Sequence, residues 1–164
     1  MRKFLTICGL ISVMMMTALG AVAALPNYAG TWVLVKDKSK GLPPMMMEGT
    51  GVIDMTVTQD EKTLTVKTSA GGGQEISYHL DGSKSKAQVA GRMPGEATVY
   101  LEKKDDGKVV LHSERELNFQ GNAFTIKSTD VWELADEGKT LKTKRTIESP
   151  RGTQEMEMIF ALKS

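Results

Sequence analysis

The chain has 164 residues, 21 Lys+Arg against 20 Asp+Glu, and a single cysteine. Charges this evenly balanced give no basic surface of the kind that nucleic-acid binding requires. One cysteine cannot form an internal disulfide, so the fold depends on packing, and the length suits one domain rather than two.

The N-terminus predicts an export signal. Arg2 and Lys3 form a positively charged start, residues 4–19 are mostly apolar, and Ala21-Val22-Ala23 offers a small-x-small cleavage site. We predict that residues 1–23 are a signal peptide, that 24–164 form a single domain, and that this domain is periplasmic or secreted. The apolar run is also long enough for a retained membrane anchor, which stays an alternative.

Cleavage of this signal would change the composition. Removing Arg2 and Lys3 from the 21 basic residues leaves 19 against 20 acidic ones, and Cys8 leaves with them. The mature chain would therefore have neither a disulfide nor a thiolate metal ligand.

Short segments of alternating polarity follow one another along the remaining chain. Turn residues such as Asp81-Gly82-Ser83 and Asp105-Asp106-Gly107 separate them and supply the backbone angles of hairpin turns. The predicted strands are 30–36, 52–58, 63–68, 75–80, 84–90, 97–103, 108–117, 123–134, 140–148 and 153–163.

This arrangement predicts an all-β protein. Sequential hairpins without a long crossover favour a closed antiparallel up-and-down barrel of eight to ten strands over a two-sheet sandwich. Both faces of the strands are too polar for a lipid-facing band, so we expect no membrane-spanning barrel after removal of the signal.

Segment 37–49 does not follow the pattern of short strands separated by turns. It contains Leu42-Pro43-Pro44 followed by Met45, Met46 and Met47, and its prolines exclude a regular strand. The segment could plug one barrel end, act as a lid over a ligand mouth, or offer thioether sulfur to Cu(I). We predict that the three methionines contact a ligand and that no metal is bound.

Two patches of sequence resemble known proteins. Tyr28-Ala29-Gly30-Thr31-Trp32 opens the first strand, and Trp132-Glu133-Leu134 precedes Glu137-Gly138-Lys139-Thr140-Leu141. The first patch is similar to the Gly-x-Trp motif of the lipocalin and fatty-acid-binding-protein barrels, and both patches resemble small exported bacterial lipocalin-like proteins. The resemblance implies structural roles for Gly30 and Trp32, and a barrel that binds a small, mostly apolar ligand.

The alternation of side chains along the strands predicts which polar groups face inward. If the turn at 136–138 pairs Leu134 with Leu141, then Asp130 lies opposite Arg145 and Trp132 opposite Thr143. Because a buried arginine keeps its charge, we predict a structural Asp130–Arg145 ion pair. In lipocalins an arginine packs over the Gly-x-Trp indole, so the resemblance also implies that Arg145 could cover Trp32.

A second arginine, Arg115, shares its face with apolar residues of the seventh predicted strand. In fatty-acid-binding barrels, interior arginines and a tyrosine hold the carboxylate of the ligand. The resemblance therefore implies that Arg115, together with Tyr78, binds an acidic head group, with Trp132 lining the same interior. Alternatively, a bulge turns Arg115 to solvent.

The sequence gives little support for catalysis. His79 and His112 each fall on the face opposite to the apolar set of their strand, and we expect both to be solvated. Haem ligation would require one of them to turn inward. There is no nucleophile motif, phosphate loop or metal-ligand spacing, so we expect no enzyme and no cofactor.

Two functions of different class remain. The first is an exported carrier of a small apolar or amphiphilic ligand, including one that bears a carboxylate. The alternative is an envelope structural or protein-interaction module with a packed, ligand-free barrel. For both we expect a monomer and no nucleic-acid partner.

Overall fold

The computed structural model describes residues 25–49, 51–69, 73–89, 94–119 and 121–163, and the predicted signal peptide lies outside these ranges. Ten strands form a single sheet. The strands are β1 Gly30–Leu34, β2 Asp54–Gln59, β3 Thr63–Thr68, β4 Glu75–His79, β5 Ser85–Val89, β6 Gly95–Lys103, β7 Val109–Phe119, β8 Asn122–Ala135, β9 Thr140–Ser149 and β10 Gly152–Leu162. No helix within the described ranges is both long and apolar enough to cross a membrane.

The strand order follows the chain and the sheet rolls up on itself. Each strand pairs antiparallel with the next, and β10 returns to pair with β1, where Leu34 lies opposite Phe160. The ladder is interrupted between β4 and β5, which form the two edges of the sheet and lie side by side without pairing. The predicted up-and-down barrel is therefore confirmed in a nearly closed form.

One end of the barrel is sealed by the segment that precedes β1. The Tyr28 side chain is fully buried, and its hydroxyl donates to the carbonyl oxygens of Gly107 at 3.1 Å and Trp132 at 3.4 Å. The Trp32 indole nitrogen in turn donates to the Tyr28 carbonyl at 2.9 Å. The Gln59 side chain accepts from the Tyr28 backbone N–H at 3.0 Å. These contacts fix the segment across what we call the closed end.

Gly30 lets the chain turn from this segment into β1. Its φ of +150° lies in a region that residues with a side chain rarely adopt. A Cβ at this position would lie 2.5 Å from a methyl carbon of Leu162 and 3.8 Å from the Trp32 indole nitrogen. The positive φ and the Leu162 methyl carbon therefore favour glycine here, whereas the distance to the indole is an ordinary van der Waals contact.

The phenol of Tyr28 gives a testable pH dependence. Burial, aided by the negative charges of Asp106 and Glu133, raises its pKa to about 12. Because the folded state favours the neutral phenol, this contribution to stability is complete below about pH 10 and is lost as the pH rises toward 12.

We therefore expect the free energy of unfolding to fall by about 1 kcal/mol between pH 9 and pH 11 through this group. Urea unfolding of wild type and Tyr28→Phe at both pH values isolates the effect, since the other tyrosines titrate in both proteins. Equal losses in the two proteins would show that Tyr28 titrates normally.

Segment 37–49 differs from the predicted irregular loop. Its first residues belong to a 3-10 turn at Lys36–Lys38, and it contains a single helical turn, α1 Pro44–Glu48. This turn begins with a proline, whose missing N–H is not needed at the first position of a helix. Lys40 exchanges two backbone hydrogen bonds with Glu157, at 2.7 and 2.9 Å. Gly41, with φ of +69°, lies so close to β10 that a Cβ would be 2.5 Å from the Glu155 carbonyl. The segment is thus fixed along β10, away from the closed end.

Candidate functional site

The packing of inward-facing side chains changes along the barrel. At the closed end they are almost completely buried, with exposed fractions of 0–3% for Tyr28, Trp32, Leu64, Leu101, Val109, Trp132 and Leu141. In β6 this burial continues, with Ala97 and Val99 at 0–1%, but toward the other end of β7, β8 and β9 the inward-facing apolar side chains are only half-buried, and these residues are Leu117, Phe124, Ile126 and Ile147. We call this second set the mouth. The apolar side chains of the mouth therefore keep part of their surface exposed.

The predicted ion pair lies between these two regions. In the β8–β9 ladder Asp130 is paired with Arg145, Trp132 with Thr143 and Leu134 with Leu141, as the register predicted. The Arg145 Nε donates to Asp130 Oδ1 at 2.5 Å. Asp130 is buried, with 7% of its surface exposed. The Asp130 carboxylate also raises the pKa of Arg145 above its already high ordinary value, so the guanidinium stays charged.

The pair with Asp130 uses only one of the hydrogen-bond donors of Arg145, its Nε. Its side chain faces inward yet is 39% exposed, and its two terminal amino groups make no hydrogen bond to any residue that the structure describes. The terminal edge of the guanidinium therefore keeps its donors for another group. An edge of this kind is a fixed pair of hydrogen-bond donors.

Tyr78 joins the pair from the other side of the barrel. It is 94% buried, with an exposed fraction of 6%. Burial raises the pKa of its phenol; the Asp130 charge adds to the rise and the Arg145 charge opposes it, which places the hydroxyl within the field of both. Within the described part of the chain this hydroxyl has no hydrogen-bond partner. A phenol among apolar side chains marks a polar position in that wall.

Two further hydroxyls complete the group. The Thr143 Oγ1 is buried without a hydrogen-bond partner among the described residues. The Ser128 Oγ lies 3.5 Å from Asp130 Oδ2. We call Tyr78, Ser128, Asp130, Thr143 and Arg145 the central polar cluster. Thr143 was predicted only as the partner of Trp132, and neither hydroxyl was recognised as a site residue, although Ser128 and Thr143 each lie two positions from Asp130 or Arg145 on the same strand and so share its inward face.

Arg115 lies on the inner face but closer to the mouth. It pairs with Ile126 in a β7–β8 ladder that runs without a bulge, so the alternative that a bulge turns it to solvent is wrong. A Cβ built at Gly95 would lie 4.0 Å from Arg115 Cδ, which locates the side chain along β6. Asp130 pairs with Leu111, which lies four residues before Arg115 on β7, so Arg115 is about 13 Å from the level of Asp130 along the strand. The structure thus groups Tyr78 with Arg145, and an acidic head group at Arg115 stays a prediction.

Both tryptophans belong to the closed end. Trp132 is 3% exposed and its ring centroid lies 5.9 Å from that of Tyr28. Its predicted contact with a ligand stays untested, and its observed contacts are those of a packed residue. Among the described residues no cation lies over the Trp32 indole, which is held by Tyr28 rather than covered by Arg145.

The three methionines of α1 lie in different surroundings, and their predicted contact with a ligand stays a prediction. Met46 packs against the core, whereas Met45 and Met47 are 66% and 47% exposed. Because they occupy consecutive positions of one helical turn, their sulfur atoms point in different directions and cannot converge on one ion. The described ranges also contain no cluster of three or more His, Cys, Asp or Glu that could hold a metal.

Both histidines lie on the outer face. His79 is exposed as expected. His112 is more covered than expected, because it stacks on Tyr100 with ring centroids 4.4 Å apart and lies 3.5 Å from a Glu102 carboxylate oxygen. Its position opposite Tyr100 in the β6–β7 ladder explains the stacking. Neither histidine is placed to ligate a group inside the barrel.

Comparison with known proteins supports the fold. No protein-family model matches the chain, and no curated protein sequence matches it. Among solved structures, the zebrafish ileal bile acid-binding protein complexed with cholic acid is similar at 13% identity with a TM-score of 0.57, covering 83% of this chain and 98% of that one. REP1-NXSQ fatty acid transporter is similar at 14% identity with a TM-score of 0.56, covering 83% and 96%. The chain therefore shares the fold of these two proteins, as a nearly closed antiparallel barrel with ten strands in the described ranges.

Proposed function

We propose that the protein is a carrier of a small apolar or amphiphilic molecule, which it binds inside the barrel. The observation that carries this proposal is the half-buried state of large apolar side chains that face inward at the mouth, including Phe124, Ile126 and Ile147. A barrel that served only as a rigid module would gain stability by burying those side chains fully. The apolar walls with a few polar groups deeper inside are the composition of a small-molecule site.

The structural neighbours support the same class of function. One is named for binding bile acid and contains cholic acid, and the other is named as a fatty acid transporter. Binding rather than catalysis also agrees with the histidines, which lie on the outer face away from the central polar cluster. The ligand would enter with its apolar part against the mouth and its polar part toward Arg145.

The place of action is part of the proposal. The charged start, apolar run and Ala21-Val22-Ala23 site support export to the periplasm or the medium. N-terminal sequencing of the protein recovered from outside the cytoplasm should begin at about residue 24, and an intact N-terminus on a membrane fraction would favour an anchor.

A pair of neighbouring substitutions tests where the ligand binds. Ile147 faces the interior at the mouth, whereas Thr146, the preceding residue of β9, faces outward. Ile147→Trp should fill the mouth and weaken binding of a neutral apolar dye such as diphenylhexatriene by about tenfold or more, since the bound molecule would have to displace the new ring.

Thr146→Trp adds the same ring to the outer face and should leave the dye affinity unchanged. Fluorescence titration of wild type and both variants, with circular dichroism to verify folding, provides the comparison. Equal dye affinity in the two variants would place the binding site outside the barrel, and no dye binding to wild type would favour the packed, ligand-free module.

A further inference from the structure

We infer that the head group recognised by the central polar cluster is uncharged and both donates and accepts hydrogen bonds, as the hydroxyl of a long-chain alcohol or a monoacylglycerol does. This inference rests on the proposed function and names the class of its ligand. It differs from the carboxylate that the sequence resemblance implies.

The charge of the cluster is the first argument. The Arg145 guanidinium is already paired with the Asp130 carboxylate at 2.5 Å, so the two residues together carry no net charge. An incoming carboxylate would bring a second negative charge next to a buried one, and like charges at short range in a low-dielectric interior repel strongly. Arg115, the other inward-facing arginine, lies about 13 Å further along the strand.

The hydrogen-bonding capacity of the cluster is the second argument. Its unused donors are the terminal amino groups of Arg145 and the hydroxyls of Tyr78 and Thr143. Asp130 Oδ2 accepts only the long hydrogen bond from the Ser128 hydroxyl at 3.5 Å, so it can accept a further one. A carboxylate ligand has no proton to donate to Asp130 Oδ2, whereas an alcohol can accept from Arg145 and donate to Asp130.

Matched ligands that differ only in the head group test the inference. Dodecanol, 1-monolauroylglycerol and dodecanoate share one chain length, and at about pH 8 the acid is fully ionised. Displacement of bound diphenylhexatriene from the purified full-length or processed protein gives the three affinities. We expect the two neutral ligands to bind wild type about tenfold or more tightly than dodecanoate.

Removing one charge should change this preference. Asp130→Asn keeps the shape of the side chain and the acceptor for Arg145 Nε but leaves the cluster with a net positive charge, so dodecanoate should bind about tenfold more tightly than it binds wild type. Glu133→Gln is the matched control, because Glu133 lies on the outer face of the same strand with a half-exposed side chain. This control should keep the wild-type preference.

The outcomes separate the inference from the proposed function. Tighter or equal binding of dodecanoate by wild type overturns the inference while leaving the carrier intact, and loss of that binding in Arg115→Ala would move the head group to Arg115. Failure of wild type to bind the dye and all three ligands overturns the proposed function itself. The wild-type comparison decides the question even if Asp130→Asn proves too unstable to study.

Discussion

Replacement of Tyr28 by alanine is expected to lower the free energy of unfolding by about 3–5 kcal/mol, the range for loss of a large ring from a packed core. The Tyr28 side chain is fully buried, and its ring lies against Trp132 at 5.9 Å. Its carbonyl also accepts the hydrogen bond of the Trp32 indole at 2.9 Å. Without the ring the closed end would lose the side chain that spans it, and no neighbouring strand can move in to fill the gap.

Urea unfolding followed by tryptophan fluorescence measures this loss directly, since both tryptophans lie at the closed end. Tyr28→Phe is the control, because it keeps the ring and removes only the hydroxyl shared between Gly107 and Trp132. Its cost should be about 1 kcal/mol. A loss below about 1 kcal/mol in Tyr28→Ala would show that segment 25–29 does not seal the barrel.

Replacement of Asp130 by alanine should be the second most damaging change. It leaves the inward-facing guanidinium of Arg145 without its counter-ion, and breaking a fully buried pair costs about 3–5 kcal/mol. Because the Arg145 side chain is 39% exposed, we expect a smaller loss of about 2 kcal/mol.

The double replacement Asp130→Ala with Arg145→Met should recover most of this stability, because it removes the unpaired charge as well. A double-mutant cycle by urea unfolding measures the coupling between the two residues. If Asp130→Ala and Arg145→Met simply add, the ion pair contributes nothing to the fold, and the central polar cluster would be held by other contacts.

The register of the β8–β9 hairpin was predictable because it depends on local features. A tight turn at 136–138 joins two strands whose side chains alternate, so fixing one pair, Leu134 with Leu141, also fixes Asp130 with Arg145. The ten strands were predictable for the same reason, since period-two alternation and turn residues are read within a few positions.

Features that depend on distant residues were not predictable in this way. Tyr28 seals the barrel through Gly107, which is 79 positions away in the chain. Tyr78 lies within the electrostatic influence of Asp130 and Arg145 only because the sheet curls, and alternation along β4 does not indicate which strands face it across the interior. The break between β4 and β5 was also missed, because alternation is the same whether or not two strands pair.

The single turn of α1 was missed for a different reason. Five residues are too few for a helical period to be visible, and isolated helices of that length are unstable in water. The turn is held instead by its attachment to the barrel, through Leu42 and Met46 packed against the core. Tertiary contacts of this kind decide the structure of short segments, and they cannot be read from composition.

Native mass spectrometry of the protein, purified without detergent from the cells that make it, tests the central claim most directly. We expect a population heavier than the chain by a single apolar or amphiphilic molecule of roughly a few hundred daltons, released on denaturation and reduced in Ile147→Trp. Only the bare chain mass in wild type, together with no saturable binding of an added neutral apolar dye, would contradict it.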